Sequence, residues 1–206
     1  MYESCIKRLL DLILSLAACV VLAIPMGIIA LWIKKDSPGP VFFKQRRVGR
    51  GKKCFNILKF RTMRGDTPHD VPTHLLKNAD SYITKSGAFL RRTSLDELPQ
   101  IYNILKGDMS IVGPRPERPE LAAELEKEIP EFSFRLQVKA GLTGYAQVYG
   151  KYNTTPYDKL KFDITYIENY SLLEDLKLII MTPKIMLMKE STEGVKEESN
   201  QTEMKD

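Results

Sequence analysis

Cysteine and histidine are scarce, and their spacing argues against two kinds of site. The chain has three cysteines, Cys5, Cys19 and Cys54, with no CxxC pair, and two histidines, His69 and His74, in a polar loop without an HExxH-like context. An odd number of cysteines, one of them inside an apolar run, does not indicate a disulfide framework. Neither set has the spacing of zinc ligands. We therefore expect a reducing, cytoplasmic environment and no zinc site.

The chain also lacks the glycine patterns of known phosphate loops. Gly49 and Gly51 lie in a basic turn, 48–52, but the P-loop and dinucleotide-binding motifs need more glycines at wider spacing. The apolar and aromatic runs 41–45 and 54–60 flank this turn. They predict a β-hairpin with a basic tip.

Acidic residues are nearly missing from residues 34–64, where eleven Lys and Arg stand against the single acid Asp36. Such a local excess of positive charge indicates an anionic partner, either phosphates or lipid headgroups. Two non-enzymatic alternatives stay open: a membrane-anchored protein that binds nucleic acid through residues 44–64, and a membrane scaffold.

Charge is absent from residues 12–33, a run of 22 residues of which twelve are Leu, Ile or Val. A straight helix of this length is about 33 Å long, enough to span a bilayer. The run is too long for a typical signal peptide and lacks its cleavage site. Pro25 in its middle and basic residues at both ends favour a kinked helix that enters and leaves on one face, although a single span also fits these residues.

The rest of the chain predicts an α+β fold, mostly helical with a short β-hairpin. Its 206 residues suffice for one core. A polar loop is predicted over 64–85, and helical patterns follow at 86–92, 96–106, 117–136 with a break near Pro130, 156–170 and 172–189. Three regions result: a membrane helix over 1–35, a catalytic domain over 36–189 and a disordered acidic tail over 190–206.

Two adjacent carboxylates, Asp96 and Glu97, form the strongest candidate site. They follow Arg91 closely, and they lie near the start of a predicted helix, which favours their ionised form. An ionised carboxylate among cations is suited to attack on phosphorus or to magnesium binding. The competing interpretation is a capping box, in which Ser94 and Glu97 only satisfy backbone amides.

Two further segments carry chemistry. Arg115 lies between Pro114 and Pro116, which restrict the backbone and favour a fixed guanidinium for phosphate recognition. The Gly-rich loop 139–150 contains Gln147, a side chain suited to contact a nucleotide base or sugar, but it is weak evidence by itself.

Together these segments resemble the bacterial sugar transferase family, the monotopic phosphoglycosyl transferases that start glycan assembly on a polyprenol phosphate. The resemblance covers about residues 1–189. It rests on five blocks in order: 59–63 (KFRTM), 94–100 (SLDELPQ), 105–110 (LKGDMS), 113–116 (GPRP) and 141–148 (GLTGYAQV).

The resemblance implies a re-entrant helix at the bacterial inner membrane with the catalytic domain on its cytoplasmic face. It implies that Asp96 attacks the β-phosphate of a UDP-sugar, that UMP leaves, and that a polyprenol (undecaprenyl) phosphate then takes the sugar phosphate. Glu97 would act as a base or position other groups, and Asp96 would bind Mg²⁺, or Mn²⁺ in its place. The implied substrate-binding residues are Lys59, Arg61, Arg91, Arg115 and Gln147.

Membrane lipids are implied partners, as are downstream glycosyltransferases or a second copy of the chain, but not nucleic acid. Three positions depart from the family pattern: Ile24 before the proline, Ala140 before the Gly-Leu-Thr-Gly block, and Lys151 where many relatives have arginine. A lysine does not reproduce a bidentate guanidinium contact, so sugar-nucleotide recognition is expected to differ.

Overall fold

The computed structural model of the protein describes residues 2–68, 79–150 and 154–187. Predictions for His69, His74, Lys151 and the tail 190–206 lie outside the described residues. Within them the chain forms seven α-helices and four β-strands. Their bounds are α1 Lys7–Asp36, β1 Phe42–Val48, β2 Cys54–Phe60, α2 Lys85–Thr93, α3 Gln100–Lys106, β3 Ser110–Val112, α4 Pro119–Glu128, β4 Gly141–Thr143, α5 Tyr145–Tyr149, α6 Pro156–Asn169 and α7 Leu172–Leu187.

The predicted helices are confirmed, with two changes of boundary. The pattern at 117–136 divides as expected near Pro130, into α4 and a 3₁₀ segment, Pro130–Gln137. The pattern at 96–106 begins later, because Pro99 lacks an amide hydrogen and becomes the N-cap of α3. A separate 3₁₀ turn, Leu95–Glu97, precedes it.

The predicted hairpin is also confirmed, and β1 extends three residues further than expected. β1 and β2 pair antiparallel, with Phe42 opposite Phe60. The buried Asn103 of α3 satisfies the outer edge of β2. Its carboxamide accepts from the Leu58 amide at 2.9 Å and donates to the Asn56 carbonyl at 2.8 Å. This bond pair fixes α3 against the hairpin.

A second small sheet, β3 with β4, was not predicted. Its two strands are parallel and only three residues long, too short to show an alternating pattern. The backbones pack closely here: a Cβ added to Gly141 would lie 2.1 Å from the Gly113 amide nitrogen. Only glycine fits at that distance, so the 141–148 block lies directly against the 113–116 loop.

The N-terminal end of α1 is fastened to this domain by polar contacts. Lys7 forms an ion pair with the buried Asp175 of α7, and the Tyr2 hydroxyl donates to the same carboxylate at 2.6 Å. One turn further, the buried Asp11 carboxylate accepts from the Ser110 hydroxyl at 3.0 Å and the Ile111 amide at 2.9 Å. Because an unpaired buried charge is costly, these partners hold the helix in place.

The C-terminal end of α1 is fastened to the same domain. Ile29 and Ile33 form a buried cluster with Phe60 of β2 and Leu90 of α2. Asp36, the last residue of the helix, accepts from the amide and the hydroxyl of Ser86, each at 2.7 Å. Both ends of α1 therefore contact one folded unit.

Between these ends the helix presents bare apolar side chains. Val20, Val21, Ile24 and Ile28 are 63–77% exposed. Among the described residues, α1 is the one helix long and apolar enough to cross a membrane. The helix continues through Pro25, so a kink there stays a prediction.

Candidate active site

The two candidate carboxylates lie on the 3₁₀ turn Leu95–Glu97 between α2 and α3. The turn begins at Ser94, whose φ of 55° ends α2 in the left-handed region. Leu95 and Leu98, which flank the carboxylates, pack against the core cluster that contains Ile29 and Ile33 of α1. The site is thus built onto the end of the apolar helix.

The interpretation of Ser94 and Glu97 as a capping box is wrong. The Ser94 side chain accepts no capping hydrogen bond, and the Ser94 amide donates to the Arg91 carbonyl rather than to Glu97. The N-cap of α2 is instead Thr84, whose hydroxyl accepts from the Gly87 amide. Both carboxylates are therefore left for other contacts.

Glu97 lies at the centre of an ionic cluster. Its Oε1 is 2.8 Å from Lys59 Nζ, and the Arg115 guanidinium contacts both of its oxygens, with Nη1 3.0 Å from Oε2. Burial opposes the charge of Glu97, but Arg115 and Lys59 outweigh it and hold the pKa of Glu97 well below its usual range. A carboxylate so strongly held is a poor proton acceptor, and it positions the two cations instead.

The Asp96 carboxylate, in contrast to that of Glu97, is only weakly bonded. Its nearest cation is Lys59 Nζ, 3.9 Å from Oδ2, and among the described residues its carboxylate accepts no hydrogen bond. Burial raises the pKa of Asp96, and Glu97 adds to the rise, although Lys59, Arg115 and Arg91 oppose it. The cations near Asp96 favour its ionised form, as expected from the sequence, but burial outweighs them in the shift of its pKa. An underbonded, partly desolvated carboxylate is more reactive towards an electrophile.

The backbone of Arg115 is held in place by a buried arginine, Arg135. The side chain of Arg115 is 45% exposed beside Glu97, and its carbonyl accepts from Nη2 of the buried Arg135 at 2.9 Å. The same nitrogen lies 2.7 Å from the buried Asp163 of α6. Sequence analysis missed Arg135 and Asp163, because two residues 28 positions apart with no shared motif give no signal of pairing.

The loop of Arg115 is also joined to the hairpin that carries Lys59. Arg47 of β1 donates to the Pro116 carbonyl at 3.0 Å, and the Val48 amide donates to the Glu117 carbonyl at 2.9 Å. The structure therefore brings together Asp96, Glu97, Lys59 and Arg115 from three separate segments.

The other predicted substrate-binding residues differ in their placement. Arg91 donates from Nε to the Thr62 hydroxyl at 2.9 Å, is exposed, and lies close enough to lower the pKa of Asp96. Arg61 is buried and donates to the carbonyls of Ser37 and Pro38, each at 2.7 Å. These contacts tie down the end of α1, and the role of Arg61 in substrate binding stays a prediction.

Gln147 lies on α5, and no described contact joins it to the carboxylates. Its amide nitrogen and oxygen are both buried, and neither has a hydrogen-bond partner among the described residues. Its role in substrate binding stays a prediction.

Comparison with known proteins identifies the family. The model of the bacterial sugar transferase family matches residues 2–189. The chain belongs to the bacterial sugar transferase family. All four residues of the ionic cluster lie within the matched range.

Named relatives of this sugar transferase act on undecaprenyl phosphate. It is 44% identical over 181 residues to a UDP-glucose:undecaprenyl-phosphate glucose-1-phosphate transferase of Xanthomonas campestris pv. campestris, covering 85% of this chain and 37% of that protein. It is 38% identical to a UDP-N-acetylgalactosamine-undecaprenyl-phosphate N-acetylgalactosaminephosphotransferase of Aeromonas hydrophila, covering 88% of this chain and 44% of the relative. The chain thus spans less than half the length of these two.

A third relative is similar over nearly its whole length. The exopolysaccharide production protein PSS of Rhizobium leguminosarum bv. phaseoli is 41% identical over 187 residues, which cover 86% of this chain and 92% of the relative. The unit described here therefore accounts for most of one family member.

Within the ionic cluster, Asp96 is the residue whose chemistry suits a magnesium ligand. The described residues contain no group of three or more His, Cys, Asp or Glu that could enclose a metal. Glu97 is occupied by cations, whereas the oxygens of Asp96 accept no hydrogen bond there. Magnesium commonly binds through one or two carboxylates together with substrate phosphates and water, so Asp96 is a suitable ligand.

Proposed function

We propose that this sugar transferase moves a sugar 1-phosphate from a UDP-sugar to a polyprenol phosphate such as undecaprenyl phosphate. The proposal rests on the contrast between the two adjacent carboxylates: Glu97 is bonded to both Lys59 and Arg115, whereas Asp96 beside it has a long ion pair with Lys59 and, among the described residues, accepts no hydrogen bond. The donors and acceptor named for the relatives agree with such a site.

In the first step, an Asp96 oxygen attacks the phosphorus that bears the sugar. The bond from this phosphorus to the bridging oxygen breaks, UMP leaves with that oxygen, and an acyl phosphate joins the sugar phosphate to Asp96. Arg115 and Arg91, whose side chains are exposed, neutralise charge on the phosphate oxygens, while Glu97 fixes the position of Arg115.

In the second step, an oxygen of the polyprenol phosphate attacks the same phosphorus. The bond between this phosphorus and the Asp96 oxygen breaks, Asp96 returns as a carboxylate, and the product is a polyprenyl diphosphate sugar. Lys59, 3.9 Å from Asp96, stabilises the carboxylate as it leaves. Asp96 would also hold Mg²⁺, or Mn²⁺ in its place, which would neutralise charge on the diphosphate.

At least four of the nine basic residues of 44–64 have contacts within the protein, which argues against that whole segment as a nucleic-acid surface. Arg47, Lys52, Lys59 and Arg61 all have partners within the protein, in Pro116, Glu126, Glu97 and Ser37 respectively. Guanidinium and ammonium groups committed in this way are not arrayed on a surface to follow a phosphate backbone.

The half-reaction tests the proposed function directly. Full-length protein in nanodiscs, mixed with a panel of UDP-sugars but without lipid phosphate, is expected to release UMP in a burst of at most one equivalent. Intact-mass measurement should show the matching phosphosugar adduct. Release that requires the lipid phosphate from the start, with no adduct, would indicate direct transfer between the substrates.

We further propose that α1 enters the membrane and returns to the cytoplasmic face. Its two ends are held by buried contacts to a single domain, while the apolar residues between them are bare. A straight span would place those two ends about 30 Å or more apart on opposite sides of the bilayer, and one set of contacts would then be lost.

Native cysteines give a test of this topology. Cys5 and Cys54 are exposed on either side of the apolar run, and Cys19 lies within it. In variants that keep one cysteine each, a membrane-impermeant maleimide is expected to label Cys5 and Cys54 in inside-out vesicles but not in spheroplasts. Cys19 should react slowly in both. Labelling of Cys5 and Cys54 from opposite sides would establish a single span.

A further inference from the structure

A concave pocket lies beside the N-terminal end of α1, and no residue of the ionic cluster lines it. It opens to solvent and has a cavity volume of about 40 Å³. One acid, Asp11, contributes to its lining, together with four basic residues: Lys7, Arg8, Arg50 and Lys139. The Asp11 carboxylate, which accepts from Ser110 and the Ile111 amide, is the one acid against these four bases, so the lining has an excess of positive charge.

Internal partners account for only part of this charge. Lys7 is neutralised by the buried Asp175. Arg8 donates to the carbonyls of Ile104 and Leu105, at 2.6 and 2.8 Å. These carbonyls at the end of α3 carry only partial negative charge, so most of the guanidinium charge is uncompensated. Among the described residues, Arg8 has no carboxylate partner.

The Lys139 ammonium has fewer partners than Arg8: within the described part of the chain it forms neither a hydrogen bond nor an ion pair. It faces the same small space as Arg8: a Cβ added to Gly107 would lie 3.4 Å from Arg8 Nη2 and 3.8 Å from Lys139 Nζ. Burial lowers the pKa of Lys139, and the charges of Arg8 and Arg50 lower it further. A bound anion would relieve this repulsion.

The position of the pocket indicates where such an anion comes from. Lys7 and Arg8 come directly before the apolar run, and Leu9 and Ile13 on the same helix are 58% and 54% exposed. In the proposed membrane topology of α1 these side chains lie in the hydrocarbon, which places the pocket at the level of the lipid headgroups. The charges there meet phosphates at high local concentration.

We propose that this pocket is a second anion site, outside the active site, that binds a phosphate group of the kind carried by an anionic membrane lipid. Arg8 and Lys139 contact the phosphate oxygens, and Arg50 adds long-range attraction. Binding ties the N-terminal end of α1 to the membrane surface. The site requires no turnover, so it stands or falls separately from the proposed transferase reaction.

The test measures binding to the full-length protein in neutral detergent, without UDP-sugar. Dioctanoyl phosphatidic acid is titrated and the apparent Kd is taken from the rise in melting temperature. We expect Lys139→Gln to weaken binding about fivefold. Lys139→Arg, which keeps the charge, should bind as the original does.

Controls separate this pocket from other sites. Lys161→Gln, at an exposed lysine of α6, should leave the Kd unchanged. Inorganic phosphate distinguishes the source: competition by free phosphate at similar concentration means that a soluble anion suffices, and its failure means that the lipid is required. The proposal would be overturned if Lys139→Gln bound dioctanoyl phosphatidic acid as tightly as the original protein does. It would also be overturned if the original protein bound dioctanoyl phosphatidylcholine as tightly as dioctanoyl phosphatidic acid.

Discussion

Asp96→Asn is expected to reduce UMP release from a UDP-sugar by at least about a thousandfold, the scale on which removal of a nucleophile acts. The amide has the same shape as the carboxylate, but its nitrogen lone pair is delocalised and its oxygen carries no full charge. No acyl phosphate can form with it. The measurement is single-turnover release of UMP in nanodiscs, with and without polyprenol phosphate.

The same variant should fold at least as well as the original. The Asp96 carboxylate accepts no hydrogen bond among the described residues, and burial raises its pKa, so the ionised form costs the folded state free energy at neutral pH. Removing that charge therefore leaves the melting temperature equal or slightly higher. Asp158→Asn, at an exposed acid of α6, is the matched control and should keep full activity. Turnover by Asp96→Asn would reject this aspartate as the nucleophile.

Local patterns sufficed to predict the hairpin and six of the seven described helices, because their signals lie within a few residues. Helix α5 lies in the segment that was predicted as a Gly-rich loop. The hairpin follows from two apolar runs around a glycine-containing turn, and α3 ends at Gly107 with a φ of 95°, as its sequence indicates. The pair β3 and β4 escaped prediction because a three-residue parallel strand is defined by its partner and not by its own composition.

The residues of the candidate site could be predicted from the sequence, but the contacts that they form with one another could not. Asp96, Glu97, Lys59 and Arg115 were all identified from the sequence, and the structure brings them together. The contacts of each residue depend on tertiary distances. Arg115, 18 residues from Glu97 in the sequence, bonds to Glu97 and not to Asp96. Arg61 shows the converse, since its place in a basic motif gave no indication that it would be buried against Ser37.

Changes in the buried pair Arg135 and Asp163 would test whether the bond from Arg135 to the Arg115 carbonyl matters for catalysis. Asp163→Ala leaves the Arg135 guanidinium buried without this partner. Breaking such a pair costs about 3 to 5 kcal/mol, and we expect the lower value because Glu117 stays 3.6 Å from Arg135. Thermal or denaturant unfolding in detergent would measure the loss, and UMP release should fall with it.

A double change separates stability from positioning. Burial raises the pKa of Asp163 to about 6 despite Arg135, so desolvation of the pair is only partly compensated. Replacing both residues by apolar ones, Arg135→Met with Asp163→Leu, should therefore recover most of the lost stability. It does not restore the bond from Arg135 to the Arg115 carbonyl. We expect a well-folded protein with normal UDP-sugar binding but a lower rate of UMP release, because Arg115 is no longer held where charge develops on the phosphate. Full activity in this variant would mean that the pair serves packing alone.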